Sequence, residues 1–253
     1  MKVATWNVNG IRARSNQLID WLRNEQADIV CLQEIKSTPE QVPMPLCDME
    51  GYWCYWHGAG GYSGVGLLIK RERFAERPKF EHPEFDYETR IVTMTVADTV
   101  YASVYVPNGG KDFAAKMRFL ESLKSFVGNV HQRGQNLILC GDMNIARTEK
   151  DVHPKEFKPR SVGQLPEERD LLEKIIGQGL VDVGRALDPD NDRLFTWWAP
   201  WRNMRERNIG WRLDYVLASE KIAKSAASCI VQREIGTSDH APVIAQFNLS
   251  NGN

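Results

Sequence analysis

Short apolar runs that alternate with one-sided helical stretches, several ending on a carboxylate or amide, constrain this chain most. Eight segments read as strands: Lys2–Asn7, Ile29–Gln33, Gly66–Lys70, Ile91–Ala97, Val100–Val106, Asn136–Cys140, Leu213–Ala218 and Pro242–Phe247. Most are rich in Val, Ile, Leu or Tyr and are bounded by Gly, Pro, Asn or Asp, the residues that punctuate strands. Helical periodicity falls between some of them. From Asp112 to Gln132, apolar residues recur at Phe113, Met117, Leu120, Leu123, Val127 and Val130, one face of a helix. A second helix is predicted over Ser15–Gln26, with Leu18, Ile19 and Leu22 facing inward. A third opens at Pro166, which suits a first turn, with Glu167 and Glu168 at the positive helix end. It closes near Gly177. Adjacent strands such as Ile91–Ala97 and Val100–Val106 suggest hairpins, whereas strands alternating with helices suggest crossovers. An α/β fold with mixed sheets and helices outside accommodates both.

The chain of 253 residues shows no linker and no low-complexity tract, so one domain spanning 1–253 is expected. A net charge of −1 gives no overall signal for nucleic acid, and any basic surface must be local. Five cysteines occur without a C-x-x-C pair, which fits reduced thiols rather than a disulfide framework or a zinc ribbon. The start M-K-V-A-T-W-N carries no apolar targeting segment, and no run has the length of a membrane span. A monomer without a membrane partner, cytoplasmic or nucleoid-associated, is expected. One faint internal echo links W-N-V-N-G-I-R to G-D-M-N-I-A-R. Quasi-symmetric halves and chance both account for it at this point.

The chemistry-bearing residues cluster at strand ends. Asn7 and Asn9 end the first run, Glu34 the second, and Asp142 and Asn144 follow the Asn136 run. Asp239 and His240 precede the last strand, and Asp214 sits in W-R-L-D-Y. Open α/β enzymes gather their sites at one edge of the sheet. Carboxylate and amide oxygens are hard ligands for Mg²⁺, with Mn²⁺ as a substitute, and Mg²⁺ takes few protein ligands besides water and phosphate. Glu34 with Asn7 fits that sparse pattern. A histidine held by a carboxylate stays oriented and is favoured in its charged form, which suits His240 to a phosphate oxygen. Asp142 can align and deprotonate a water, and Asn144 can hold that water or the phosphate. Singly, each of these residues reads equally well as a turn, a cap or a solvated side chain.

Taken together, the segments W-N-V-N-G-I-R-A (6–13), L-Q-E-I-K (32–36), Y-V-P-N-G (105–109), G-D-M-N-I-A (141–146), L-P-E-E-R (165–169), N-I-G-W-R-L-D-Y (208–215) and S-D-H-A-P (238–242) resemble the exonuclease III family of apurinic/apyrimidinic endonucleases. The resemblance spans nearly the whole chain in family order. It implies a four-layered α/β sandwich, two mixed β-sheets packed together and flanked by helices. It implies a DNA repair nuclease that hydrolyses the phosphodiester 5′ to an abasic site in double-stranded DNA, leaves a 3′-hydroxyl, and trims 3′ ends. By position, Asn7, Glu34, Asp142, Asn144, Asp239 and His240 look like metal-site residues. Tyr105 looks like the tyrosine that meets the scissile phosphate, Asp142 like the activator of water, Asn144 like a transition-state stabiliser, and Asp214 like the partner of His240. Lys36 and Asn108 look like backbone-contacting positions. Lys111 does too, although some members carry Arg there, and Asn9 stands where some carry Asp.

Four of the eight tryptophans fall between Phe195 and Arg212, interleaved with Arg202, Arg205, Arg207 and Arg212. Aromatic rings among arginines suit a splayed nucleic acid. Trp197 and Trp211 are expected to line a pocket for the abasic sugar, Trp201 to sit at the DNA groove, and Arg205 to follow phosphates. An abasic nucleotide has no base stacking to lose, so extruding it costs less. The glycine-rich stretch 57–66 serves equally as a close approach to DNA or as a tight turn. Two other classes remain open from sequence: a metal-dependent phosphoesterase acting on another substrate, and a non-catalytic DNA-binding scaffold.

Overall fold

Alternate side chains of the central strands are apolar on both faces, and each face finds its own cover. In β1 (Lys2–Asn7), Val3 points to one side while Ala4 and Trp6 point to the other. In β2 (Ile29–Gln33), Ile29 and Cys31 share a face with Val3, and Val30 and Leu32 take the opposite one. That two-residue period with both faces apolar marks strands buried on both sides. The computed structural model describes residues 1–74 and 76–248.

The remaining strands are β3 (Tyr52–His57), β4 (Val65–Lys70), β5 (Phe80–Glu81), β6 (Ile91–Val96), β7 (Thr99–Tyr105), β8 (Asn136–Asp142), β9 (Leu180–Asp182), β10 (Asp214–Ser219), β11 (Ala226–Val231) and β12 (Val243–Phe247). They form two six-stranded sheets, ordered β11-β12-β1-β2-β4-β3 and β5-β6-β7-β8-β10-β9. The inner faces meet through Ile29, Val65 and Leu67 of one sheet and Val92, Ile138 and Val216 of the other. Helices α1 (Ser15–Glu25) and α2 (Met44–Cys47) cover the first sheet, and α3 (Phe113–Gln132) and α4 (Pro166–Ile176) the second. Short helices α5 (Val183–Leu187) and α6 (Glu220–Ala223) complete the set. The architecture is the expected four-layered sandwich.

Helix α3 starts where Asp112 Oδ1 accepts from Ala115 N at 2.8 Å, an N-cap. Its buried stripe differs from the predicted one at the N-terminal end. Phe119 is buried, while Phe113 and Met117 are only half-covered. The stripe turns because Lys116 is drawn inward by a buried acidic partner. Strands β3, β5, β9 and β11 carry no clear patterning: β5 and β9 are too short, and β11 is a half-exposed edge.

Reading each sheet from its β11 or β9 edge, the pairings run antiparallel, antiparallel, parallel, antiparallel, antiparallel in both. β1 and β8 hold corresponding places. Their ends repeat one turn: Asn9 N donates to Asn7 Oδ1 at 3.0 Å, and Asn144 N donates to Asp142 Oδ1 at 2.8 Å. Asn9 and Asn144 both sit at positive φ, 45° and 51°, a region Asn tolerates. The sequence echo therefore marks a structural repeat.

Candidate active site

The parallel pairs β1–β2 and β7–β8 bring their C-terminal ends to one edge of the sandwich. Asn7 lies beside Gln33, one residue before Glu34, and Tyr105 lies beside Asp142, which also faces Asp214 across β8–β10. Glu34 and Lys36 also have positive φ, 50° and 51°. For such residues that conformation costs about 1–3 kcal/mol each and must be held by surroundings. The glycine-rich turn between β3 and β4 does this. Ile35 N and Lys36 N donate to Gly64 O and Ser63 O, and a Cβ on Gly58 would lie 2.2 Å from Ser37 O. The turn thus supports the Glu34 loop from within.

Ligand atoms of Glu34, Asp142 and His240 lie within 4.8 Å of one another. Asn7 Nδ2 bridges the carboxylates, 3.0 Å from Glu34 Oε1 and 2.9 Å from Asp142 Oδ2. Its amide oxygen accepts from Asn9 N, so the nitrogen faces the cluster in this structure. Lys36 Nζ sits 2.7 Å from Glu34 Oε2 and 2.6 Å from Asn9 Oδ1. It neutralises Glu34 rather than reaching outward to a DNA backbone. Burial works against the Glu34 charge, but the hydrogen bonds from Asn7 and Lys36 and the Lys36 charge outweigh it and hold its pKa low. A charged carboxylate, a buried aspartate and an electrostatic need that Lys36 partly meets suit a hard divalent cation.

Asp239 stands apart from this triple. Its oxygens accept from Asn9 Nδ2 at 2.7 Å and Trp197 Nε1 at 3.0 Å, so it orients neighbours of the site instead of completing the ligand set. Burial opposes its charge, yet His240 and those two donors hold its pKa below the usual carboxylate value.

His240 Nδ1 lies 2.8 Å from Asp214 Oδ2, and its Nε2 is 3.7 Å from Asp142 Oδ2. Thr196 Oγ1 donates to the same Asp214 oxygen at 2.6 Å and accepts from Leu213 N and Asp214 N. The aspartate is thereby locked against the imidazole. Burial disfavours a charged His240, but Asp214 and Asp142 overcome it and raise the pKa to about 10. Burial raises Asp142 to about 7, with Asp214 adding to the effect and His240, Asn144 and Asn7 opposing it. Tyr105 is buried beside Glu34 and Asp142, and burial first, then those charges, keep its phenol protonated as a donor. Arg90, itself buried, places its guanidinium 4.8 Å from the Tyr105 ring centroid.

Asn144 closes the site on the α3 side. Its Nδ2 donates to Val106 O at 2.9 Å, and its Oδ1 accepts from Asn108 Nδ2 at 3.2 Å. Beneath them, Lys116 Nζ donates to Asn144 O, Asn108 O and the Glu168 carboxylate. Glu168 Oε2 in turn accepts from Gly163 N and Leu165 N. Both charged side chains are fully buried. Lys116→Met strands a buried carboxylate and is expected to cost about 3–5 kcal/mol in urea unfolding. A loss below about 1 kcal/mol, typical of exposed pairs, would remove the pair from this structural role.

The aromatic segment packs against the same edge. Trp197 pairs with both Trp211 and His240 through isolated bridges, and the two indoles meet edge-to-face with centroids 5.5 Å apart. Both rings are half-buried, Trp201 is 58% exposed, and Trp198 is core. Asn108 and Lys111 are exposed, and Asn108 meets the site through Asn144. Two arginines depart from expectation. Arg205 uses all three guanidinium nitrogens on carbonyls of Arg233, Ile235, Gly236 and Ser238, so it braces the loop before Asp239 rather than following phosphates. Arg212 is buried between Asp151 and Asp182. Patterning missed Thr196, Arg90 and Lys116. Only Lys116 left a trace, a lysine set within an apolar helical stripe.

The Endonuclease/Exonuclease/phosphatase family model matches residues 4–240. An exodeoxyribonuclease of Bacillus subtilis is 33% identical over 98% of this chain and 100% of its own length. Among solved structures, a 3′ phosphatase from Neisseria bound to a product DNA hairpin superposes with a TM-score of 0.89 at 28% identity, covering 98% of this chain and 100% of that one. An AP endonuclease from Archaeoglobus fulgidus gives 0.88 at 29%, with the same coverage.

Proposed function

The chain belongs to the endonuclease/exonuclease/phosphatase family, within its exonuclease III group of DNA repair nucleases, and from that premise we propose that it cuts the phosphodiester 5′ to abasic sites with Mg²⁺. It is a hydrolase. The observation that carries the reading is the convergence of Glu34, Asp142 and His240 within 4.8 Å, with the Trp197–Trp211 wall bridged to His240.

Glu34 and Asp142 would hold a divalent cation at this edge. Such an ion, when bound, neutralises phosphate charge and favours ionised water. Asp142, buried and fixed by Asn144 N, accepts the proton of the attacking water. Charged His240, held by Asp214, and the Tyr105 phenol donate hydrogen bonds to phosphoryl oxygens as charge develops. Asn144 fixes Asp142 on one side and meets Asn108 on the other. The Trp197–Trp211 wall receives the extruded sugar, and exposed Trp201 lies against the duplex.

Duplex DNA with one abasic analogue tests this. Incision 5′ to the lesion, leaving a 3′-hydroxyl, is expected with Mg²⁺, and none with EDTA. Incision that persists in EDTA, or that ignores the lesion, would discard the reading. Trp211→Ala is expected to impair abasic incision more than 3′-end trimming. Equal losses in both assays would clear the tryptophan of a pocket role.

A further inference from the structure

At the borders of the sandwich, β3 closes one sheet and β5 the other. Tyr55 of β3 stacks on Phe80 of β5, with centroids 4.7 Å and planes 7° apart. Three residues with metal-binding groups meet beside this stack. His57 is the last residue of β3, His82 follows β5, and Asp86 lies before β6. One ligand atom from each lies within 4.8 Å of the other two.

Hydrogen bonds and ring stacking hold the three side chains together. His57 Nε2 is 2.5 Å from Asp86 Oδ2. The two imidazoles lie nearly parallel, with centroids 3.7 Å and planes 24° apart. Asp86 is held by its other oxygen, which accepts from Arg90 N at 2.8 Å and Ile91 N at 3.1 Å. His82 Nδ1 faces Ile91 O at 3.3 Å. A proton there gives the tautomer that leaves Nε2 with a lone pair, now 2.8 Å from the Tyr55 hydroxyl. A backbone carbonyl on the far nitrogen and anchored carboxylates are the usual supports of a metal-binding histidine. The site is reachable, since His82 is exposed and His57 and Asp86 keep part of their side chains in solvent.

We propose that His57, His82 and Asp86 bind a Zn²⁺ ion at a site that shares no residue with the Glu34–Asp142–His240 cluster. Two imidazoles and a carboxylate suit zinc, whereas Mg²⁺ prefers oxygen ligands. The ion joins the borders of the two sheets. This inference does not depend on which DNA is cut.

The metal-stripped protein is titrated with Co²⁺ and then Zn²⁺, with Mg²⁺ in large excess to occupy the oxygen-rich site. One equivalent of Co²⁺ is expected, with a visible d–d band that Zn²⁺ abolishes. His57→Gln and His82→Gln should each weaken that binding by at least about tenfold, the lower end of losses seen when even a supporting residue is removed. Both variants should keep their circular dichroism and Mg²⁺-dependent nuclease rates, and Zn²⁺ should raise the unfolding midpoint of the parent but not of either variant. Asp142→Asn should retain the Co²⁺ equivalent. No cobalt bound under excess Mg²⁺, unchanged affinity in both histidine variants, or loss of the equivalent in Asp142→Asn would overturn the proposal; the last would place the ion in the catalytic cluster. Failure of one histidine variant to fold leaves the other to decide.

Discussion

Asp142→Asn is expected to lower turnover on abasic DNA by roughly 10²–10⁴-fold, the usual contribution of a positioned general base, and to leave the fold in place. The substitution keeps an oxygen to accept from Asn144 N and fills the same volume, so the β8 turn persists. What it removes is the only group at this position that can take a proton from water. Single-turnover rates, with circular dichroism as the control, separate chemistry from folding. Near-parental single-turnover rates would exclude Asp142 as the base.

His240→Gln is expected to lower kcat by about 10²–10³-fold, the typical loss of one donor aimed at developing charge. The pH–rate profile adds a second readout. Asp142 works as its ionised form, which is populated above its raised pKa of about 7. His240 works as its charged form, which is populated below its raised pKa of about 10. Activity therefore rises with pH through the first value and falls through the second. A divalent cation beside Asp142 would favour its ionised form, so the acidic limb is expected to move lower as Mg²⁺ is raised. His240→Gln should erase the alkaline limb. Asp214→Asn, which removes the charge that sustains the imidazolium, should shift that limb to lower pH. An alkaline limb that survives in His240→Gln would assign it to another group and sink the donor role.

Much of this was legible before any fold was known. The central strands are buried on both faces, so their apolar runs are unbroken and their ends fall near Asn7, Glu34, Tyr105 and Asp142. The edge strands β3, β5, β9 and β11 were not legible, because an edge strand that is short or half-exposed needs no apolar pattern. Thr196 was invisible for a different reason. A threonine acquires its role only when Asp214 and His240 arrive beside it. The arginines show the opposite error: Arg205 and Arg212 look like phosphate contacts in a basic, aromatic run, yet carbonyls and buried aspartates claim them.

By itself the sequence determined which side chains end each strand, the residue types available for metal and proton chemistry, and the alternation that makes a layered α/β fold. Local backbone preference and side-chain period suffice for those. Tertiary structure alone decided that Asn7 bridges two carboxylates, that Lys36 turns inward to Glu34, and that Lys116 lies beneath Asn144. Those outcomes depend on which charges become neighbours once water is excluded, and the pairing of two sheets from distant parts of the chain sets that.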